Sequence, residues 1–180
     1  TDAAGRVYVA DAGNGRIQRF SPTGAFIDAW GERGEGHGQY DFGGDPEFHG
    51  GLLASDSGIL YVADTFNDRM QKVTLTGASL AAWESRGSRP GLFRLPQGVA
   101  ASNSGEFYVL DHGNNRVQQF SASGAFVRAW GVQGAEEGQF NRPRGIAVDA
   151  TGAYYIADTN NRRIQKIDGD GTFLTAWGSA

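Results

Sequence analysis

An aspartate followed by arginine five residues on and glutamine seven residues on recurs four times along the chain. The trios are Asp11, Arg16 and Gln18; Asp64, Arg69 and Gln71; Asp111, Arg116 and Gln118; and Asp158, Arg163 and Gln165. A carboxylate beside a guanidinium and a carboxamide can hold a turn through charge-assisted hydrogen bonds, or it can place a charge for acid–base work. Recurrence in every copy favours the first role, because a framework is needed in each copy and a catalytic centre only once. A second group, His37, Asp45, Glu47 and His49, gathers imidazoles and carboxylates that suit zinc or another transition ion. The spacing matches no compact ligand motif, so a polar surface loop is the stronger reading and neither a metal nor a cofactor is assigned. Nucleophile elbows and Walker-type loops are absent from the sequence. The glycine-rich run 34–38 leads into no helical pattern and is read as a turn, not a phosphate cradle.

The elements that must position these groups follow from composition and periodicity. The chain has 180 residues, 39% hydrophobic and 20% charged, which suits a folded domain. Its 28 glycines and 21 aromatic residues, without a collagen period, point to short aromatic-rich strands joined by tight turns. No apolar run approaches the roughly 18 residues of a membrane span, so no membrane insertion is expected. A net charge of −4 argues against a chain built mainly to hold nucleic acid. With no cysteine, disulfides and thiolate sites are excluded and the redox compartment is left open. A secreted or periplasmic location fits a Gly- and Arg-rich repeat without Cys slightly better than a cytoplasmic one.

The four aspartates are separated by 53, 47 and 47 residues, and Trp30, Trp83, Trp130 and Trp177 keep the same spacings. Several markers in one register establish an internal repeat. In the third copy, 97–101 is a short apolar strand, 106–111 a second, Gly113-Asn114-Asn115 a hairpin turn, 116–120 an alternating strand and 125–130 a fourth. The unit is a four-stranded antiparallel meander that must stack on its neighbours to cover its faces. Radial stacking of such units is the β-propeller solution. Each tryptophan, at a strand end, is expected to pack between blades.

The string Tyr-Val-Ala-Asp, then Asn-x-Arg-(Ile/Val)-Gln, then Trp-Gly, then Gly-Gln-Phe before Pro-x-Gly-(Ile/Val)-Ala resembles the NHL repeat over essentially the whole chain. The resemblance implies an all-β propeller, and family members are commonly six-bladed scaffolds, RNA readers or enzymes. One such enzyme is an amidating lyase that uses channel-lining His and metal. The blades are expected at 1–30 (incomplete), 31–83, 84–130 and 131–180. Blade one lacks the counterpart of the strand at 145–148, so the chain is expected to be part of a larger ring, or to complete one with a second copy.

Function is sought where the blades differ. The hairpins between second and third strands share a face with the inter-blade loops 31–50, 84–96 and 131–143. The first loop is six residues longer and carries His37, Tyr40, Asp45, Glu47, Phe48 and His49. Its aromatics among charges resemble an interface core with its rim, although Tyr40 stands where Phe93 and Phe140 are expected to fold back on the blade. Fourteen of the 16 basic residues are arginine, and Arg86, Arg89, Arg94, Arg142, Arg144, Arg162 and Arg163 are placed on or near the same face, with Arg86, Arg89, Arg142 and Arg144 as the partner-contact candidates. Such arginines suit a protein partner, and the interspersed Glu84, Glu136 and Glu137 leave RNA the weaker reading. The expectation is a non-catalytic scaffold for another polypeptide, or for further copies of an assembly. The alternative is part of a metal-dependent lyase or hydrolase, which would need ligands on the innermost strands. Those strands read Leu52-Leu53-Ala54, Val99-Ala100-Ala101 and Ile146-Ala147-Val148.

Overall fold

The computed structural model describes all residues except 45–48, 85, 103, 179 and 180; of Glu84 only the backbone is described. Among the described residues, fifteen strands form four antiparallel sheets in sequence order. The first sheet is three-stranded: β1 (Val7–Asp11), β2 (Arg16–Phe20) and β3 (Phe26–Trp30). The second runs β4 (Leu52–Ala54), β5 (Ile59–Asp64), β6 (Arg69–Thr74) and β7 (Ser79–Glu84). The third is β8 (Pro96–Ala101), β9 (Phe107–Asp111), β10 (Arg116–Phe120) and β11 (Phe126–Trp130). The fourth is β12 (Gly145–Val148), β13 (Tyr154–Asp158), β14 (Arg163–Ile167) and β15 (Phe173–Gly178). Strands pair only with sequence neighbours within each sheet, as a meander requires. The innermost strands meet from blade to blade, β4 against β8 and β8 against β12, while β1 lies against β4.

The hairpin expected at 113–115 is longer in the structure. Each blade turns through one 3-10 turn, at Ala12–Asn14, Thr65–Asn67, His112–Asn114 and Thr159–Asn161. A left-handed residue follows: Gly15, Asp68, Asn115 or Arg162. The extra turn places the aspartate and the arginine five residues later directly opposite each other, as Asp64 with Arg69 and Asp111 with Arg116.

The core lies between the sheets. Tyr61 and Met70 of one blade pack with Phe107 and Phe120 of the next, and Tyr108 and Val117 pack with Tyr154 and Ile156. The tryptophans join this packing unequally. Trp30, Trp83 and Trp130 are half-buried, each against the turn glycine of the following blade: Gly77, Gly124 and Gly171. These glycines have φ near 90°, and the indole occupies the space a Cβ would take, so both backbone and packing exclude other residues. Trp177 meets no turn glycine among the described residues and is 48% exposed, which corrects the expectation that each tryptophan packs between blades.

On the opposite ends of the blades, Asp2 and Asp149 close equivalent turns before β1 and β13. Asp2 is buried, which opposes its ionisation, yet the Arg6 N–H, Tyr8 hydroxyl and Arg6 guanidinium hold its pKa down to about 2. The Thr151 hydroxyl is the main cause of a depressed Asp149 carboxyl, with the Ala153 N–H and Tyr155 hydroxyl adding to it. A carboxylate depressed in the folded state stabilises above its unfolded pKa and loses that contribution as pH falls through its folded value. The thermal midpoint should therefore fall as pH is lowered from about 4 to about 2. Asp149→Asn should shallow that fall, and an unchanged pH profile in the variant would disprove the assignment.

Candidate functional site: the inter-blade-loop face

Each repeated trio does more than hold its own hairpin. Asp64 is wholly buried and accepts from Asn67 Nδ2 (2.9 Å), Arg69 Nε (2.7 Å), Gln71 Nε2 (2.9 Å) and the Asp41 N–H (2.7 Å). Burial pushes the carboxyl upward against the pull of these donors, and Asp111 behaves alike. Every partner is a donor, which only the ionised form satisfies fully. The rest of Arg69 reaches into the preceding loop and donates to the carbonyls of Glu35 (2.6 Å), Gly36 (2.8 Å) and Gln39 (3.1 Å), and Gln71 also donates to the Gln39 carbonyl. Arg116 likewise holds Ser88, Arg89 and Leu92, and Arg163 holds Glu136 and Gln139. The Asp–Arg–Gln trio is a clamp that ties each inter-blade loop to the blade after it. Sequence reasoning read only the hairpin half of this. The Gly-x-(Phe/Tyr) that ends each loop, its middle residue 24 positions before the arginine at 92 and 139 and 30 before it at 39, was the signal for the other half. Around Asp11, Arg16 and Gln18 the turn contacts persist, but no loop carbonyl is held among the described residues, and the pair is more exposed.

The clamped loops fold one aromatic inward. Tyr40, Phe93 and Phe140 are each fully buried. Tyr40 therefore cannot meet a partner, and with Phe42, also fully buried and stacked on it at 5.3 Å, it belongs to the core formed with Ile17, Leu60 and Val62. The aromatic cluster expected to project from the long loop is thus partly internal, because apolar area in a pinned loop is more stable covered than wet. Burial drives the Tyr40 phenol up to about 12. The nearby Trp30 indole works against that shift, yet neither Trp30 Nε1 nor Tyr40 Oη reaches hydrogen-bonding geometry with a partner among the described residues. Tyr40→Phe, which copies Phe93 and Phe140, should be neutral or stabilising by up to about 1 kcal/mol in denaturant unfolding. A loss above that would reveal a partner for the hydroxyl. Removing 41–47, by contrast, would take out Phe42 and the Asp41–Asp64 contact and so damage the fold itself.

Of the remaining long-loop candidates, His37 and His49 are exposed, and Asp45, Glu47 and Phe48 lie outside the described residues. Among the described residues no group of three or more His, Asp or Glu side chains could hold a metal ion. The arginines are distributed differently. Arg86 is exposed and pairs with Asp68 at 3.2 Å, and Arg89 is exposed at the loop tip. Arg142 is exposed with a left-handed backbone at φ 49°, and Arg144 is half-buried at the entry of β12, its N–H donating to the Ala157 carbonyl. Arg94, placed near this face from sequence but not named as a partner contact, lines a cavity of about 240 Å³ together with Arg142 and His112.

Comparison with known proteins supports the fold. The NHL repeat model matches residues 93–120 and 140–167. No curated protein matches the chain. A streptogramin B lyase structure aligns over 98% of this chain and 52% of its own length, at 14% identity and a TM-score of 0.68. Virginiamycin B lyase from Staphylococcus aureus aligns over 96% of this chain and 52% of its own, at 16% identity and a TM-score of 0.65. A structure of the nidogen/laminin complex aligns over 96% of this chain and 59% of its own, at 15% identity and a TM-score of 0.67. The chain thus spans between about half and three-fifths of the length of these structures. At such identities the likeness shows a shared propeller fold, populated both by enzymes and by a protein found in a protein complex.

Proposed function

We propose that this chain, an NHL-repeat β-propeller, is a binding scaffold that docks another polypeptide on its inter-blade-loop face. The observation that carries the reading is the clamp. Three successive loops are held by Asp–Arg–Gln trios whose Asp and Gln are buried, which presents exposed side chains such as Arg86, Arg89 and Arg142 on a backbone already ordered. Ordering a loop before binding removes the entropy cost that a flexible loop would carry into the complex. Residues common to all blades are occupied by this task, and those that differ project from it. The nidogen/laminin structure supports protein binding as a use of this fold. The lyase structures support a second reading, part of a propeller enzyme. For that reading the innermost strands β4, β8 and β12 supply chiefly Leu, Val, Ile and Ala, and its ligands would have to come from elsewhere.

Selection of displayed random peptides against the chain tests the proposal. Selected peptides should lose at least tenfold in affinity for an Arg86→Ala/Arg89→Ala variant and keep their affinity for Arg6→Gln, at the opposite end of the blades. Peptides indifferent to the loop-face substitutions would overturn the reading.

A further inference from the structure

The repeat supplies its own control for what is special at one junction. Backbone contacts define the equivalences. Asp41, Arg94 and Asn141 each donate an N–H to the clamp aspartate of the following blade. Phe66, Gly113 and Asn160 each donate an N–H to the carbonyl of that same residue. Asp68 and Asn115, the left-handed residues after the 3-10 turn, each accept the N–H of the residue entering the next blade, Leu95 or Arg142. Both entry residues share φ 49°.

The chemistry at these equivalent places is reversed between junctions. Around the second blade's hairpin stand Asp41, Asp68 paired to Arg86, and Leu95, with the Phe66 ring lying over Gly43. Around the third blade's hairpin stand Arg94, Asn115, Gln133 and Arg142, so both acids are gone and two guanidiniums take the places of Asp41 and Leu95. Gly113 replaces Phe66, which leaves the hairpin uncovered. A Cβ there would lie 2.6 Å from Arg94 Cγ, so only glycine lets the Arg94 stem cross the turn. The result is the cavity of about 240 Å³ with His112 buried at its wall. His112 Nδ1 donates to the Pro143 carbonyl at 3.1 Å, which fixes the ring. Arg94 and Arg142 make no ion pair or side-chain hydrogen bond among the described residues, and Glu136 and Glu137 on the adjoining loop pair with neither.

From this juxtaposition we infer that the cavity between the third and fourth blades binds a carboxylate group of the docked polypeptide, held by the Arg94 and Arg142 guanidiniums. Two unpaired guanidiniums on one cavity repel each other, and a carboxylate relieves that repulsion while matching the planar fork of each. The inference deepens the scaffold reading and rests on it for the source of the carboxylate; the anion preference of the cavity stands on the two arginines alone.

The test uses the full chain and two capped hexapeptides, one with two glutamates and the other with glutamines in their place, followed by calorimetry and by the His112 ring signals in NMR. The glutamate peptide should bind at least tenfold more tightly and shift the His112 resonances. Arg94→Asn and Arg142→Leu copy Asn141 and Leu95, side chains that the same backbone already carries, so both variants should fold; each should weaken binding at least tenfold, and Arg6→Gln should not. Equal binding of the two peptides, or full binding by the Arg94→Asn/Arg142→Leu variant, would overturn the inference. So would inorganic phosphate displacing the glutamate peptide at a concentration below that of the peptide, since the cavity would then be a phosphate site. Glutamate-selective binding here, combined with displayed peptides indifferent to Arg86 and Arg89, would uphold the cavity while removing the wider scaffold reading.

Discussion

Asp111→Ala should cost about 3–5 kcal/mol, because it leaves a charge uncompensated at a buried position. Asp111 is fully buried and accepts from Asn114 (2.8 Å), Arg116 Nε (2.8 Å), Gln118 (3.1 Å) and the Arg94 N–H (2.7 Å). Without the carboxylate, Arg116 keeps only the loop carbonyls of Ser88, Arg89 and Leu92, and the Arg94 N–H loses its acceptor. The same substitution at Asp11 should cost about 1 kcal/mol, since Arg16 there is 43% exposed and water can replace the lost partner. Urea unfolding of the two variants beside the parent measures the contrast. Equal midpoints would mean that the buried clamp contributes no more than its exposed counterpart.

Trp130→Ala is the second large effect, at about 3–4 kcal/mol. The indole meets Tyr154 at 5.2 Å and Tyr108 at 6.1 Å, lies under the Arg128 guanidinium at 5.6 Å and fills the space above Gly171. Truncation opens a cavity between two blades that rigid sheets cannot close. Trp177 occupies the equivalent position yet is 48% exposed, with Tyr155 at 6.0 Å its ring neighbour. Trp177→Ala should therefore cost less than about 1 kcal/mol in this chain. Thermal unfolding distinguishes the two, and similar losses would show that Trp177 is covered in solution.

Most of the blade was legible in the residues because its contacts are local. The Asp111–Arg116 pair spans five residues across one hairpin, so spacing alone brings the two groups together once strand, turn and strand are recognised. The loop clamp was legible only in part: Arg116 and the Ser88 carbonyl are 28 residues apart, and nothing in either segment names the other. The inward turn of Tyr40 was legible from its register with Phe93 and Phe140, whereas its role as core rather than interface was not, for a related reason. An aromatic among acids in a long loop reads as surface, and only the closed space beside Ile17 and Leu60 makes it core.

By itself, the sequence determined the repeat, the antiparallel meander, the propeller architecture and the hairpin trios, since all of these follow from periodicities of two and of about 47 residues acting through short-range pairing. The tertiary structure alone decided which of four identical tryptophans is covered and which loop aromatics turn inward. It alone placed Arg94 and Arg142, from two different loops, on one cavity. These outcomes depend on which surfaces meet when rigid blades stack side by side, and that stacking brings together residues whose separation along the chain carries no information about their distance in space.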